Sequence, residues 1–489
     1  MAGIGVRLNR IFSQKSIVAD MVGFAYSMMV TVAPMFLVIL NILLMGWVLG
    51  FGRIGYAQRE LFSCTVLYIF IFALLTASPF NAVLSKYMSD IIYEERYQDI
   101  LPCYYLGMLF NIVLSCLFGI PFCLWEHFVG QVPVFYVFLG FCGYISLALV
   151  FYSMLYLSIC KDYGKISLFF FLGMLVAFLL SLLMCFVFHW SITVSMLFSL
   201  TVGFFVTACL ELAVVKRYFQ KNSNQYKPVL RYFKKYWKLV LTNLLYTLGL
   251  YIHNFVFWCT DMRLVVVDSF ICCQPYDMAS CLAMFTNISA TIIFIAHVEM
   301  HFHDKYKAYS EAVIGGKWAD IVNTKRQMFR QLGAELMNLV RVQFIISVSV
   351  YLLCMVLLPR IGFSGMVMHI YPCLAAGYFI LFLMYSTILF LYYFDDLTGA
   401  VLSSLGFCLV TLLGSILSTH LPERWYGLGV VLGSFFGWTI AYLRLRRIEK
   451  NMDAHIFCRD TLIQRGSGLR PSSKVYDRSE ARADAAAER

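Results

Sequence analysis

Long stretches without charge dominate the pattern of polar and apolar positions along this chain. Eleven of them contain no Asp, Glu, Lys or Arg, and a helix of about 20 apolar residues is long enough to cross a bilayer. They are 21–52, 61–85, 100–125, 127–160, 166–210, 239–260, 278–298, 342–359, 361–394, 397–422 and 425–443. The stretch 166–210 is too long for one crossing and most naturally breaks at the polar corner His189-Trp190-Ser191. The pattern therefore predicts about twelve membrane spans.

Hydrocarbon offers the backbone no hydrogen-bond partner, so these spans are expected to be helices. The composition agrees, because 61% of the residues are hydrophobic and only 13% are charged, which excludes an ordinary soluble globular protein. We therefore predict an all-α polytopic membrane protein with about 12 transmembrane helices in two six-helix lobes. An even number of spans in each lobe means that both lobes begin on the same side. Their pseudo-two-fold repeat is then expected to be parallel, about an axis along the membrane normal.

Basic residues set the predicted orientation. With the N-terminus in the cytoplasm, the inner segments hold 32 Lys and Arg residues and the outer segments hold five, and without the C-terminal tail the ratio is still 21 to five. This asymmetry follows the positive-inside rule, so both termini are predicted to be cytoplasmic. The net charge of +11 then indicates attraction to anionic lipids of the inner leaflet, with no nucleic acid as a partner.

The predicted domains follow from the spans and the polar segments between them. They are a first lobe over 1–215, a basic cytoplasmic linker over 216–238, a second lobe over 239–443 with an amphipathic cytoplasmic insert over 299–341, and a cytoplasmic tail over 444–489. The tail is polar enough to be disordered. The linker carries eight basic residues and no acidic one, which favours a helix lying on the membrane surface through Lys234, Lys235 and Lys238. A plain connector is the alternative interpretation.

Motifs for catalysis and cofactor binding are missing from the sequence. Gly315-Gly316-Lys317-Trp318 lacks the spacing and the hydroxyl of a P-loop, and neither a nucleophile elbow nor an HExxH motif is present. The segment 297–304 contains three histidines, but it lies at the end of a predicted span, where polar residues are ordinary. We therefore predict a protein that is not an enzyme and that holds no cofactor and no metal.

Two further patterns are predicted to be structural. Gly429, Gly433 and Gly437 recur at four-residue spacing in the last span, which is typical of a close helix-packing seam. Four cysteines flank one outer loop, where a disulfide and scattered packing cysteines both remain open. These are Cys259, Cys272, Cys273 and Cys281.

Charged residues inside the spans are few, and this narrows the range of substrates that the protein can carry. A path for a lipid-linked diphosphate needs Lys or Arg, and a cation antiporter needs a carboxylate at the midplane. The span centres contain no Lys or Arg, and the carboxylates of Glu211 and Glu299 lie near predicted cytoplasmic ends. Aromatic and neutral polar residues remain, so we predict a neutral or weakly charged polar substrate such as a glycan, whose sugar rings stack on aromatic faces.

Span 7 supplies the candidate substrate path. Its positions 246, 250, 253 and 257 form one stripe on a helix. We predict that Tyr246 and His253 face a cavity between the lobes and contact sugar, with Asn254 beside them and Asn41 of span 1 on the same path. A packing stripe inside the bundle is the alternative for span 7, and a bond to a neighbouring helix is the alternative for each asparagine.

Acidic residues at predicted inner span ends supply a candidate cytoplasmic mouth. We predict that Glu299, Asp395 and Asp396 meet the polymer or a partner protein there. Ordinary solvation of helix ends is the alternative interpretation.

Several segments resemble the PelG family, the polytopic component of the Pel exopolysaccharide export machinery, which is related to the multidrug/oligosaccharidyl-lipid/polysaccharide flippase superfamily. The opening Met1-Ala-Gly-Ile-Gly5-Val-Arg-Leu-Asn-Arg10-Ile-Phe is the most specific match, and further matches follow in order at 84–90, 248–258, 298–309 and 392–396. The sequence departs from the family at Ala33-Pro34-Met35, where Gly-Pro-Trp is expected, and the end of the chain after about residue 450 looks like an extension.

This resemblance implies a protein of the bacterial cytoplasmic membrane that exports an amino-sugar-rich glycan. It implies as partners the polysaccharide itself, a cytosolic glycosyltransferase that uses a UDP-sugar, and other Pel-type membrane proteins. Two other functions remain open from the residues. One is an ion-coupled exporter of small amphipathic molecules, which needs a buried carboxylate facing the lobe interface. The other is a membrane scaffold for a glycosyltransferase that conducts nothing.

The predicted topology can be tested with reporter fusions. We expect fusions after Lys235 and after Lys450 to read cytoplasmic, because basic residues hold the flanking segments on the inner side. A fusion after Arg263, in a predicted outer loop, is the control and should read outside. Opposite readings for the first two fusions would contradict the two-lobe arrangement.

Overall fold

In a computed structural model of the protein, the described part of each predicted span position is mainly helical. The structure describes residues 34–94, 96–159, 163–287, 299–361 and 365–452. The first half of the chain forms α1 (Pro34–Leu49), α2 (Tyr56–Tyr93), α3 (Ile100–Phe128), α4 (Val134–Ile159), α5 (Tyr163–Leu182) and α6 (Ile192–Tyr218). A short helix, α7 (Lys227–Lys235), lies in the linker. The second half forms α8 (Trp237–Phe257), α9 (Gln274–Asn287), α10 (Glu299–Gly315), α11 (Trp318–Ile361), α12 (Met366–Tyr393), α13 (Leu397–Ser418) and α14 (Leu428–Lys450).

Ten of the described helices are long and apolar enough to cross a membrane. The other two predicted spans correspond to α1 and α9, which both border residues outside the described part of the chain. The predicted class, an all-α multi-pass membrane protein, is confirmed. The count of twelve spans and the parallel repeat stay predictions.

The uncharged stretch 166–210 breaks where its polar corner predicts. Helix α5 continues into a π-helical turn at Leu183–Val187, and His189 adopts a left-handed backbone conformation with φ of 56°. Ser191 is extended and precedes the first turn of α6. The stretch therefore forms two spans, as predicted.

Helix α3 shows how a span sorts its residues between lipid and protein. One stripe at roughly four-residue spacing is exposed and apolar, as a lipid-facing surface should be: Leu109, Val113, Leu117 and Ile120. Another stripe at four-residue spacing is buried and small or polar: Gly107, Asn111, Ser115 and Gly119. Small residues let neighbouring helices approach closely, which is how bundles pack without a hydrophobic driving force between helices.

The glycine seam on α14 is confirmed, and it packs mainly against α13. A Cβ added to Gly429 would lie 2.8 Å from Ser415 Cα, and one added to Gly433 would lie 2.8 Å from the Thr411 backbone nitrogen. At Gly437 it would lie 2.9 Å from Phe407 Cβ. Each distance is shorter than a real Cβ contact, so the close approach of these helices requires glycine.

A small antiparallel hairpin follows α8. Its strands are β1 (Leu264–Val266) and β2 (Phe270–Cys272), with Val265 opposite Ile271. Val267 and Asp268 in the turn both have positive φ. The hairpin lies in the loop that the charge pattern places on the outer side. We call this end of the bundle, residues 258–273, the hairpin end, and the end with residues 219–238 the linker end.

The insert of the second half forms a helical pair, and its second helix continues into predicted span 9. Helix α10 ends at Gly315, α11 begins at Trp318, and the two pack against each other. Helix α11 then runs without interruption into span 9 and contains 44 residues. The sequence predicted separate elements for the insert and the span.

The end of the chain forms a separate small unit from Leu445. The structure describes its residues 445–452, where Arg446 Nη1 donates to Glu449 Oε2 at 2.7 Å. The predicted disorder of the tail concerns residues that lie outside the described part.

The glycine seam can be tested by thermal unfolding of the purified protein in detergent. Gly433→Ala should lower stability by about 1–3 kcal/mol, because overpacking forces α13 and α14 apart. Gly333→Ala in α11 is the matched control, since a Cβ there meets nothing within 4 Å. It should raise stability by up to ~1 kcal/mol through helix propensity. A Gly433→Ala protein that melts at or above the wild-type temperature would contradict the seam.

Candidate functional site

The two halves of the bundle meet along α2 and α8. Cys64, Tyr68 and Phe72 lie at four-residue spacing on one face of α2, and each contacts the second half. Near the middle, the rings of Phe72 and Phe255 stack with centroids 6.2 Å apart. Farther toward the linker end, Asn243 Nδ2 donates to the Ser78 carbonyl oxygen at 3.2 Å. One helix of the first half thus carries contacts to the second half along most of its length.

At the hairpin end, Tyr68 is the central contact between the halves. Its ring stacks on Trp258 with centroids 5.0 Å apart and planes 7° apart. Its hydroxyl donates to the Ile271 carbonyl oxygen at 2.6 Å and accepts from the Ile271 nitrogen at 3.2 Å. These bonds hold the edge of β2 against α2. We call the contacts of Tyr68 and Glu126 with Trp258 and residues 269–272 the hairpin joint.

Glu126 at the end of α3 completes the hairpin joint. It is 2% exposed, and its Oε2 accepts from Ser269 Oγ at 2.7 Å. Within the described residues, no donor reaches its other oxygen, Oε1. Gly130 lets the hairpin approach, because a Cβ there would lie 2.8 Å from Ser269 Cβ. A buried carboxylate of the first half is therefore bonded to the second half.

The sequence analysis did not select Glu126, although a signal for it exists. Glu126 is the only Asp, Glu, Lys or Arg between residues 100 and 160. It lies between the uncharged stretches 100–125 and 127–160, and its place at this border resembles the ordinary end of a span. An isolated acid in so long an apolar region is itself a functional signal.

A cavity of about 240 Å³ lies beside the hairpin joint. Helices α2, α3 and α4 form its walls, and Phe270 of β2 closes one side. Its lining is largely aromatic and includes Tyr68, Phe122, Glu126 and Tyr136. Parting of the hairpin from α2 would remove Phe270 from this lining and open the cavity toward the joint between the halves.

At the linker end, an ion pair joins the halves. Lys86 Nζ of α2 lies 3.1 Å from Asp395 Oδ1, at the corner between α12 and α13. The Lys86 ammonium also lies 4.8 Å from the ring centroid of Tyr236. Asp395 has a φ of 53°, a left-handed conformation that Asp tolerates better than most residues. We call this contact the linker-end pair; its side chains are 29% and 62% exposed, so water reaches both.

The linker helix α7 docks on the first half instead of lying free. The Tyr232 hydroxyl donates to Asp90 Oδ2 at 2.5 Å, and the Tyr232 ring contacts Tyr87 edge-on at 5.0 Å. Burial and the hydrogen bond to the Asp90 carboxylate raise the pKa of Tyr232 well above its usual range, so the hydroxyl stays a donor. Phe233 packs on Phe80. The linker is therefore part of the first half's surface.

The predicted membrane contacts of the linker separate into two groups. Lys234 and Lys235 are exposed, as a lipid contact requires. Lys238 is half-buried, and its ammonium donates to Thr398 Oγ1 of α13 at 2.7 Å. Lys238 lies in the first turn of α8, so this bond joins α8 to α13 within the second half. Lipid contact at Lys234 and Lys235 stays a prediction.

The predicted path residues of span 7 lie within the second half. His253 is fully buried, with its Nδ1 2.9 Å from the Tyr276 hydroxyl and its Nε2 3.4 Å from the Tyr378 hydroxyl. Asn254 Nδ2 donates to Asp277 Oδ1 at 2.7 Å. Tyr246 packs on Tyr385, with ring centroids 4.9 Å apart. In this conformation the stripe has the contacts expected of bundle packing, and sugar contact stays a prediction.

The other predicted residues are placed as follows. Asn41 is buried in the first half, with its Nδ2 3.5 Å from Met174 Sδ. Asp396 is buried, caps α13 by accepting from the Gly399 nitrogen, and accepts two bonds of 2.9 Å from Arg444. Glu299 begins α10, and its side chain lies outside the described part of the structure. Of the predicted mouth residues, Asp395 takes part in a contact between the halves.

Solved structures with a similar fold include MATE proteins and a MOP superfamily transporter. A MATE in complex with MaL6 aligns over 92% of this chain and 99% of its own, with a TM-score of 0.60 at 12% identity. A MOP superfamily transporter from Pyrococcus furiosus aligns over 88% and 96%, with a TM-score of 0.60 at 12% identity. An inward-facing MATE family transporter aligns over 87% and 95%, with a TM-score of 0.59 at 10% identity. Among curated proteins, no sequence matches this chain.

The fold is thus the two-lobed, multi-pass fold of these proteins. We call the two halves described above the lobes, and their bounds stay a prediction. The profile of the PelG family, described as "Putative exopolysaccharide Exporter (EPS-E)", matches residues 1–457. The chain therefore belongs to the PelG family, and membrane transport of an exopolysaccharide is the function of its class. The PelG family that the opening residues indicated is confirmed, and the fold resembles that of MOP superfamily transporters.

Proposed function

We propose that this protein moves a Pel-type, amino-sugar-rich glycan outward across the bacterial cytoplasmic membrane, as the transport component of a synthase and export complex. Family membership supports exopolysaccharide as the cargo. The near absence of basic residues from the span centres supports a glycan over a lipid-linked diphosphate.

The observation that carries this proposal is that α2 contacts the second lobe at both ends of the bundle. The hairpin joint closes one end through Tyr68 and Glu126, and the linker-end pair joins Lys86 to Asp395 at the other. Contacts of this kind act as two gates, which open in turn when one lobe rocks against the other. Tyr68 and Trp258 present aromatic faces that a sugar ring could replace when the hairpin joint opens.

The proposed orientation places both termini and the linker in the cytoplasm and the hairpin outside. The linker-end pair is then the gate that meets the growing polymer, and a cytosolic glycosyltransferase and other Pel-type membrane proteins are the proposed partners on that side. Exposed Lys234 and Lys235 support contact of the linker with anionic lipid. Two basic residues near such a surface contribute roughly 1 kcal/mol each.

The linker-end gate can be tested by reversing the charge of Lys86. Lys86→Glu places two carboxylates at the pair, and Asp395→Asn removes the ammonium's partner while keeping a side chain that tolerates positive φ. An exposed ion pair contributes about 0–1 kcal/mol, so its loss changes the equilibrium between the open and closed gate by up to roughly fivefold. A loss of this size leaves folding intact. We expect secreted polymer to fall by up to about that factor at unchanged membrane levels of the protein.

Lys307→Glu is the matched control, because it makes the same charge change in a pair with Glu311 inside α10 alone. It should leave polymer secretion unchanged. Normal secretion from both gate variants would refute the gate, and a loss of protein equal to the loss of polymer would indicate a folding role. Normal polymer production without the chain would refute transport altogether.

Glu126 favours a second candidate function, export driven by an ion gradient. That alternative requires a buried carboxylate at the lobe interface, and Glu126 has this position through its bond to Ser269. If it holds, Glu126→Gln should abolish transport that depends on the gradient, whereas Ser269→Ala should preserve it, because the carboxylate remains. Secretion that survives in Glu126→Gln and resists collapse of the gradient would eliminate this candidate.

A further inference from the structure

Two thiols from different lobes meet inside the hairpin joint. Cys64 lies on α2 and Cys272 ends β2, 208 residues later in the chain, and their sulfur atoms are 3.0 Å apart. They are 2% and 4% exposed. A disulfide bond is about 2.05 Å long, so a displacement of roughly 1 Å would bring the sulfurs to bonding distance.

The surroundings hold the backbone on both sides of this pair. Tyr68, one helical turn from Cys64, bonds the nitrogen and the carbonyl oxygen of Ile271, the neighbour of Cys272. Cys64 and Cys272 also belong to one buried cluster with Val266 and Phe270. Because the backbones are fixed relative to each other, side-chain rotation is enough to change the distance between the sulfurs.

Two neighbouring cysteines have different contacts. Cys272 is the last residue of β2, and Cys273 follows the strand. Cys272 meets α2, whereas the Cys273 nitrogen bonds Asp277 Oδ2 of α9 at 3.0 Å. The cysteines that flank the outer loop, Cys259, Cys272, Cys273 and Cys281, are all free thiols in this structure, and the thiol that Cys272 meets belongs to the other lobe.

We propose that Cys64 and Cys272 are a site of reversible disulfide formation that locks the hairpin joint closed. This inference rests on the proposed function for its orientation, which places the hairpin on the outer face, where disulfides form and persist. A covalent bond between α2 and β2 prevents the lobes from parting at the hairpin end, so the path for polymer cannot open outward. Exchange with two molecules of an external thiol, which leave as one disulfide, restores the two cysteine thiols and releases the lobes.

The bond forms by thiol–disulfide exchange with an external disulfide, either a low-molecular-mass disulfide or a protein disulfide oxidoreductase. When the joint opens, the Cys272 thiolate attacks one sulfur of that disulfide, forms a mixed disulfide and expels the first thiolate. When the joint closes, the Cys64 thiolate displaces the second. Two protons and two electrons leave the cysteines, and the external disulfide is reduced to two thiols.

An internal disulfide leaves the mass of the chain unchanged, so the test needs a cut between the two cysteines. A site-specific protease sequence inserted between Asn224 and Gln225 provides it, because this exposed linker segment lies outside α6 and α7. Membranes containing this protein are treated with oxidised glutathione, alkylated, cleaved and separated with and without reductant. We expect a band of full length without reductant and two fragments with it.

Cys64→Ala and Cys272→Ala should each give two fragments in both lanes, because a variant that lacks one thiol cannot form the bond. Alanine adds no polar group to the buried site, so both variants are expected to fold. Cys259→Ala is the matched control, because Cys259 is exposed at the same end, and it should behave like the wild type. If the oxidised wild-type protein gives two fragments without reductant, the proposal is wrong. A bond that survives in Cys64→Ala would overturn the assigned pair.

The lock is tested by polymer secretion from the same cells. Oxidation should lower secretion in proportion to the bonded fraction, reductant should restore it, and Cys64→Ala should be insensitive to both. A bond that forms without any loss of secretion would overturn the lock. Failure of the proposed function is distinguishable, because polymer production in cells without the chain would refute transport while the gel still reports the bond.

Discussion

The contact of α2 with the second lobe is the interaction on which the arrangement of the lobes depends. Helix α2 bonds or stacks on the second lobe near Tyr68, near Ser78 and near Lys86. A single helix therefore carries contacts at both ends of the bundle. Pro79 lies inside α2 between the contacts near the two ends. A proline removes one helical hydrogen bond and permits a kink, so it is a natural point for one end to part while the other stays closed.

The chemistry of the two ends differs, and this difference suits different gates. The hairpin joint is buried and combines aromatic stacking with a carboxylate that accepts a hydrogen bond from a hydroxyl group. The linker-end pair is reached by water and is therefore weak. A weak, solvated contact can open often at the end where polymer is proposed to enter. A buried joint opens more rarely and keeps the other end sealed in the meantime.

Elements that depend on local composition could be predicted from the sequence. The twelve helical positions and the break at 189–191 follow from uncharged length, which is a property of neighbouring residues. The seam at Gly433 follows from spacing on one helix. Contacts such as Tyr68 with Trp258, or Lys86 with Asp395, join residues far apart in the chain, and no periodicity within one span indicates its partner.

The span 7 stripe also shows that spacing within one helix does not identify the neighbour that the helix meets. Helical spacing places Tyr246 and His253 on one side of α8, but it does not say which neighbour that side meets. In the structure His253 meets Tyr276 and Tyr378 of its own lobe. Glu126 was overlooked for a different reason, because dividing the chain at charged residues treats each one as a border.

The length of α11 has a mechanical consequence. A continuous helix of 44 residues is about 66 Å long, roughly twice the thickness of the hydrocarbon core, so about half of it projects beyond the lipid. Such a helix is stiff, and its two halves turn as one rod. Trp318 is exposed at the projecting end of this helix, and span 9 is the other end of the same helix. A force applied to the insert becomes a tilt inside the membrane, without passing through any loop.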